Sequence, residues 1–320
     1  MSTSVGERHF AVPSSHLALD GDAAAPWILL PPSAHAAFER LRTAGPALGD
    51  SPIGRPLLGV KCGCNAAFLV HAQEHDDDSA TVVASDNPAP GKASVSRSAV
   101  IERRLLRPVL RGEGITLRSA VGSTAHTVDE LRILWTHGTD GLPLRILPPA
   151  TTRWLAHWRP RLESRRDARA RMPWWTLFRT EAARADTPRV VWADIGKRLR
   201  TRVLDAGDPT VPLNSCYVVR TSSLDDAYAL DALLNSTIAA AWLDVLAEPA
   251  RGGFRRFLGW TVAALPVPHD WLRARTLLAP IGQRLARHEI VATMELDQAV
   301  ADAYDVPLRH LTPLLAWYTP

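Results

Sequence analysis

The sequence predicts an α+β fold: a strand-rich mixed body with long helices, closed by a helical tail. Two patterns carry this. Short apolar runs of strand length, such as Leu131–Trp135 and Cys216–Val219, sit between turn residues. Longer stretches, among them Leu224–Ala247 and Leu272–Ala286, space their apolar residues as a helix does. No internal similarity appears at the period of about 20–50 residues that marks a solenoid or propeller.

Taken in order, His9–Val12 and Trp27–Leu30 read as strands, and Ser33 is placed to N-cap a helix running to Thr43. Gly45-Pro46 and Ser51-Pro52 break the chain. Leu57–Lys61 and Ala66–His71 are apolar extended runs around a tight Cys-Gly-Cys-Asn connection, the pattern of a strand pair. Glu74–Ser79 and Asp86–Lys92 have the polar composition of hairpin tips or solvent loops. Val100–Leu110 reads as a short amphipathic helix, stopped by Arg-Gly-Glu-Gly, and Leu131–Trp135 as a buried strand. Pro148 to Ala170 reads as one long basic helix. Arg189–Ile195, Leu199–Leu204 and Cys216–Val219 read as strands, and Leu224–Ala247 as a buried helix. The Pro-rich segment Ala264–Pro268 ends a body spanning residues 1–268. Residues 269–320 form a tail of three helices, Leu272–Ala286, Met294–Ala303 and Leu308–Trp317.

The 320 residues allow one large domain or two modest ones. No apolar run reaches the roughly 18 residues that span a bilayer, and MSTSVGERHF lacks the pattern of a secretory signal. Three cysteines, Cys62, Cys64 and Cys216, make no disulfide framework, so a cytoplasmic location is expected. The net charge of +4 is modest. Its distribution says more. Between Arg153 and Arg202 stand 14 Lys/Arg against 5 acids, a surplus of nine, so the remainder of the chain is net acidic. Five of the 11 tryptophans (Trp154, Trp158, Trp174, Trp175 and Trp192) lie in the same stretch. Basic residues interleaved with aromatics suit a polyanion partner, although a solvated Arg-rich helix followed by core tryptophans has the same composition.

The most informative segment is Leu58–Val70, LGVKCGCNAAFLV. It sets Gly63 and Asn65 at a sharp turn beside Lys61. Glycine permits close backbone approach, asparagine offers a bidentate amide, and lysine a phosphate partner. Asn65 could equally hold the turn by bonding its own backbone. A zinc alternative exists in Cys62, Cys64, His71 and His75, a Cys-x-Cys followed by His-x-x-x-His.

This segment resembles the G-x-K-T-G-x-N-x-A-F pattern in the target-recognition region of amino-adenine DNA methyltransferases of the type II restriction-modification class. Gly59, Lys61, Gly63, Asn65, Ala67 and Phe68 match, and Cys62 stands where that family usually has Thr. Further blocks follow in the family's order: Ile101–Gly112 (IERRLLRPVLRG), Trp154 to Arg165 followed by Trp174-Trp175-x-Leu177, Arg189–Trp192, Asn214–Tyr217, Leu233–Ser236, Gly252–Arg255 before Leu265–Pro268, and Leu296 to Val306. The likeness covers residues 8–310.

The resemblance implies sequence-specific binding of double-stranded DNA by a specificity subunit in restriction-modification or phage defence. It also implies a separate catalytic methyltransferase chain as partner, and no membrane. The sequence has neither a Gly-rich S-adenosylmethionine turn nor an Asn/Asp-Pro-Pro-aromatic loop for the flipped adenine. Asn87-Pro88-Ala89-Pro90 comes nearest, without the second adjacent Pro or the aromatic. No catalytic residue, metal or cofactor is therefore expected in this chain, S-adenosylmethionine belonging to the partner. Its start at Met1 and its complete tail fit a separately encoded subunit better than a truncated copy. The alternative is a protein-interaction module of an anti-phage complex that binds DNA secondarily.

The candidate DNA-contacting residues are Lys61, Gly63 and Asn65 in the turn, and Arg103, Arg107 and Arg111 in the following element. The basic stretch contributes Arg165, Arg166, Arg169, Trp174 and Trp175. Lys197, Arg198, Arg251, Arg255 and Arg256 complete the set.

Overall fold

The computed structural model describes residues 10–17, 27–85, 97–118, 131–167 and 172–318. His9, the expected loop Asp86–Lys92 with its Asn-Pro-Ala-Pro, Arg169 and the expected end of the basic helix lie outside them. The fold is α+β, as expected, and divides into two compact units. The first takes residues 1–55, 195–199 and 225–320, and so holds the C-terminal helices; the second takes residues 56–194 and 200–224.

The second unit is built on two sheets. Its strands are β1 (Leu57–Leu58), β2 (Leu69–Glu74), β3 (Ser79–Ala84), β4 (Ser98–Glu102), β5 (Leu106–Leu110), β6 (Leu131–Leu134), β7 (Arg189–Ala193), β9 (Thr201–Leu204), β10 (Val211–Pro212) and β11 (Cys216–Arg220). The larger sheet has the order β10-β5-β6-β2-β3-β4, antiparallel except where β10 joins β5. The smaller, β1-β11-β7-β9, is antiparallel throughout. Among the described residues α2 (Asn65–Phe68), α3 (Gly112–Arg118), α4 (Pro149–Ala156) and the short α5 (Arg159–Glu163) accompany them. Phe68, Val70, Val82, Ile101, Ile133, Trp154 and Leu162 share one core on the larger sheet, whereas Ile115 of α3 packs with Val191, Leu204 and Val218 on the smaller.

Three expectations are corrected here. Leu57–Lys61 does not pair with Ala66–His71. Asn65–Phe68 winds a helical turn, and the two runs enter different sheets. Val100–Leu110 is not a helix but β4, one tight turn at Arg103–Leu105, and β5. Pro108 would have cost a helix a hydrogen bond and created a clash, while pairing with β3 and β6 satisfies the extended backbone. The long basic helix is two helices broken at His157-Trp158, because Pro160 has no N–H to continue the ladder of α4.

In the second unit, sequence blocks become tertiary joints. Glu102, at the end of β4, accepts from the Ala150 N–H (3.0 Å), the Thr151 N–H (2.9 Å) and the Thr151 hydroxyl (2.7 Å), capping α4 from a distant strand. Burial opposes its charge, but these bonds outweigh burial and hold its carboxyl below the usual range. Gly59 lies against the backbone of Leu213, where a Cβ would come to 2.1 Å from a carbonyl oxygen.

The first unit packs α1 (Pro32–Arg42) on α11 (Thr312–Trp317). It also packs α7 (Thr237–Leu246) on α11 and α10 (Thr293–Ala303), and α10 on α9 (Trp271–Ala286). Phe38 of α1 stacks on Trp242 of α7 at 4.9 Å. Helix α1 starts at Pro32 rather than after Ser33. Ile28 and Leu30 are buried and belong to no strand among the described residues; pairing in this run is limited to a bridge at Trp27 and the Ile28 N–H donating to the Leu17 carbonyl at 2.8 Å. The single helix expected over Leu224–Ala247 is α6 (Leu224–Asn235) and α7, bent by 67°. Ser236 makes the break, its hydroxyl oxygen accepting from the Ala239 N–H at 3.0 Å, and Asp297 of α10 accepts from the Thr237 N–H at 2.7 Å. Tyr304 donates its hydroxyl to the Pro266 carbonyl at 2.6 Å, joining the last family-like block to the Leu-Pro-Val-Pro segment. A short α8 (Gly259–Ala263) precedes that segment. A three-stranded antiparallel sheet, β12 (Glu248–Ala250), β13 (Phe254–Arg256) and β8 (Ile195–Gly196), completes the unit. Among the described residues no single helix is long and apolar enough to cross a membrane.

Candidate nucleic-acid interface

The turn Lys61–Asn65 is held from two directions. On one side Arg165 closes over it. Its guanidinium donates to the Cys62 carbonyl (2.7 Å), the Trp174 carbonyl (2.8 Å) and the Leu162 carbonyl (3.0 Å), while lying 4.8 Å from the Phe178 ring. Gly63 sits directly beneath with φ +70, and a Cβ there would come to 2.7 Å from the Arg165 Cδ. On the other side Trp154 of α4 donates its indole N–H to the Ala67 carbonyl at 3.0 Å. Lys61 also pairs with Phe178 through backbone bonds of 3.0 and 3.1 Å. The result is a rigid turn, tied to the basic segment by a half-buried arginine.

Two polar side chains remain at its surface. The Lys61 ammonium bonds the Asp167 carboxylate at 2.6 Å, and both are about half exposed. Asn65, first residue of α2, is exposed, and its side chain makes no hydrogen bond among the described residues. The alternative in which Asn65 bonds its own backbone is thus not the arrangement present. Cys62 and Cys64 turn inward to the core, and burial pushes the Cys62 thiol up to about 12. His75 shares a 2.6 Å hydrogen bond with Thr81, and among the described residues no three His, Cys, Asp or Glu are placed to hold a metal.

The other candidates fall into distinct environments. In the second unit, Arg165 spends its donors inside the chain, and Arg103 is ion-paired to Glu74 and Asp77. Arg107 lies half-buried with its guanidinium 4.5 Å from the Trp135 ring. Arg111 is half-buried and Arg166 exposed. Trp174 and Trp175 are half-buried edge to face, 5.2 Å apart. Trp174 lies under Arg159, and Trp175 donates to the Leu144 carbonyl at 3.0 Å. In the first unit, Lys197, Arg251 and Arg256 are exposed, Arg198 is half-buried, and Arg255 is ion-paired to Asp244 at 2.7 Å.

No protein-family model and no curated protein matches this chain. Among the solved structures similar to it is that of the Type IIL restriction-modification enzyme MmeI in complex with DNA. The two share 12% identity and superpose with a TM-score of 0.46 over 83% of this chain and 35% of that one. This chain therefore spans about a third of that enzyme's length. The functional reading rests on the residues themselves.

Several cations of the basic stretch in the second unit were not singled out from the sequence as individual candidates. Arg153, Arg161 and Arg179 are exposed, and none has an ion pair among the described residues. Arg179 adopts φ 58, which turns the chain away from the Lys61–Phe178 pairing. Composition could not separate these from Arg189, which is fully buried and donates to the Thr210 and Asp208 carbonyls at 3.0 and 2.6 Å. Part of the nine-charge surplus is therefore interior. The tryptophans divide in the same way: Trp154 and Trp192 are core, and Trp158, Trp174 and Trp175 are half-buried.

Proposed function

We propose that this chain binds duplex DNA in a sequence-dependent way, as the target-recognition half of an adenine-specific DNA methyltransferase. In this reading the catalytic domain, with its S-adenosylmethionine, is supplied by a separate chain. The observation that carries it is the Lys61–Asn65 turn, in which Arg165 and Trp154 immobilise the backbone while an unbonded amide and a lysine face outward. A pre-organised turn of this kind suits base reading, since a fixed amide loses little freedom when it meets a base edge. Arg153, Arg161, Arg166 and Arg179 would supply the phosphate contacts that set register without reading sequence. The ordered run of family-like blocks supports the assignment to adenine methylation. Some of their members hold joints of the fold: Glu102 at α4, Ser236 at α7, Asp297 beside it and Tyr304 on Pro266.

The test is reconstitution. The chain is mixed with a methyltransferase chain carrying the Gly-rich turn and the Asn-Pro-Pro-aromatic loop, and methyl transfer to adenine is mapped along a plasmid. Site-restricted methylation that needs both chains is expected. If the catalytic chain modifies the same sites equally well alone, the specificity role fails, and a protein-interaction role gains the weight.

A further inference from the structure

The small sheet of the first unit has one face turned inward and one left open. Arg255 points inward, where Asp244 holds it and the Ala247 carbonyl accepts from it at 3.5 Å. Side chains alternate along a strand, so Phe254 and Arg256 occupy the opposite face. The register places Arg256 between Glu248 and Ile195, and Phe254 opposite Ala250. Phe254 is 37% exposed and Ile195 36%. Phe254 and Ile195 are thus part-exposed apolar side chains on a strand face shared with the charged Arg256 and Glu248.

The tip is shaped to leave that ring accessible. Gly252 and Gly253 both have positive φ (+77 and +76), a pair that only glycines adopt without strain. A Cβ on Gly253 would meet nothing within 4 Å, and one on Gly252 would meet only the Phe254 ring, at 3.7 Å. Three exposed cations lie on the same small sheet and its tip, Arg251 in the tip, Arg256 two residues beyond Phe254 on its strand face and Lys197 directly after β8; none is ion-paired among the described residues, and the carboxylate in register with Arg256 is Glu248. An apolar protein surface would not repay burial of three unpaired cations. A nucleic-acid strand would, because each base offers a flat ring to stack and each link a phosphate.

We propose that this face is a stacking site for an unstacked base of a DNA strand, Phe254 supplying the ring and Arg251, Arg256 and Lys197 the contacts to flanking phosphates. The proposal rests on the DNA-binding reading above and adds a partner of different form, a displaced or single strand rather than the intact duplex.

Binding of the full chain to an oligothymidylate of about twelve nucleotides is compared with binding to an abasic strand of the same length, which keeps the phosphates and removes the rings. The intact chain should prefer the thymidylate by roughly 5- to 140-fold, the range expected for one stacked base. Phe254→Ala should erase that preference while leaving binding to the abasic strand unchanged, and Phe254→Trp should keep it. Equal binding of the two strands by the intact chain overturns the proposal, as does a preference surviving in a folded Phe254→Ala variant. Should the chain bind duplex DNA but neither single strand, the stacking site fails and the duplex reading stands. Loss of binding to all three DNAs sinks both.

Discussion

Gly63→Ala and Arg165→Ala form a pair whose combined effect should be smaller than the sum of its parts. Gly63 has φ +70, a conformation that costs an alanine about 1–2 kcal/mol. Its new Cβ would also lie 2.7 Å from the Arg165 Cδ, so the arginine must shift and loosen its bonds to the Cys62, Leu162 and Trp174 carbonyls. A charge-assisted bond of this kind contributes about 1.5–3 kcal/mol. Gly63→Ala alone should therefore destabilise by about 2–4 kcal/mol. Arg165→Ala should cost about 3 kcal/mol, by leaving partly buried carbonyls unsatisfied. In the double variant the Cδ is gone, so the second substitution costs only the backbone term. The shortfall should be about 1–2 kcal/mol. Urea unfolding followed by tryptophan fluorescence measures it, provided the slope with denaturant stays constant. Effects that add within about 0.5 kcal/mol would refute the arginine latch.

Asn65→Ala should leave the melting temperature unchanged, because the side chain has no bond to lose, yet cost about 1–3 kcal/mol at the preferred DNA site alone. A lower melting temperature with intact discrimination would remove the base-reading role. Asp167→Asn should free Lys61, tighten binding to every duplex, and steepen the slope of log affinity against log salt by up to about one, a gain that adding Lys61→Ala to Asp167→Asn should remove. The same slope in Asp167→Asn and in the double variant would take Lys61 off the phosphate backbone. His137 is buried, and burial, followed by the charge of Arg107, lowers its pKa to about 4 from 6.5. The unfolded chain then takes up a proton that the folded chain refuses. The stability tied to His137 is complete above pH 6.5 and lost as pH falls towards 4, by about 2 kcal/mol between pH 7 and 5. A His137→Asn variant whose urea midpoint falls as steeply over that interval would assign the loss elsewhere.

Elements decided by local pattern were legible in the sequence. Leu131–Leu134, Arg189–Ala193, Thr201–Leu204 and Cys216–Arg220 are strands, and Trp271–Ala286 and Thr293–Ala303 are helices, near their expected bounds. What failed was decided by partners distant in sequence. Ile101, Leu105, Val109 and Leu110 fit a helical stripe, but β3 and β6 claim the backbone on either side, and Pro108 was the local sign against a helix. The Leu57–Lys61 run has the composition of a hairpin arm, yet its neighbour is β11, more than a hundred residues on. At the candidate interface, the sharp turn was readable from Gly63, whereas the sequence left open whether Asn65 faces outward or bonds its own backbone. That Arg165 is a clamp on the turn was not, since the Cys62 carbonyl it holds lies about a hundred residues earlier in the chain. Arg189 could not be told from a surface arginine for the same reason: its burial depends on the loop at Asp208–Thr210.

The most direct test of the account is the affinity of the pure chain for duplex DNA as salt is varied. With around six phosphates neutralised, log affinity should fall linearly with log salt, by roughly 10³ between about 50 and 200 mM. A flat response over that range, or no binding at the low-salt end, would contradict the claim that this chain is built to bind DNA.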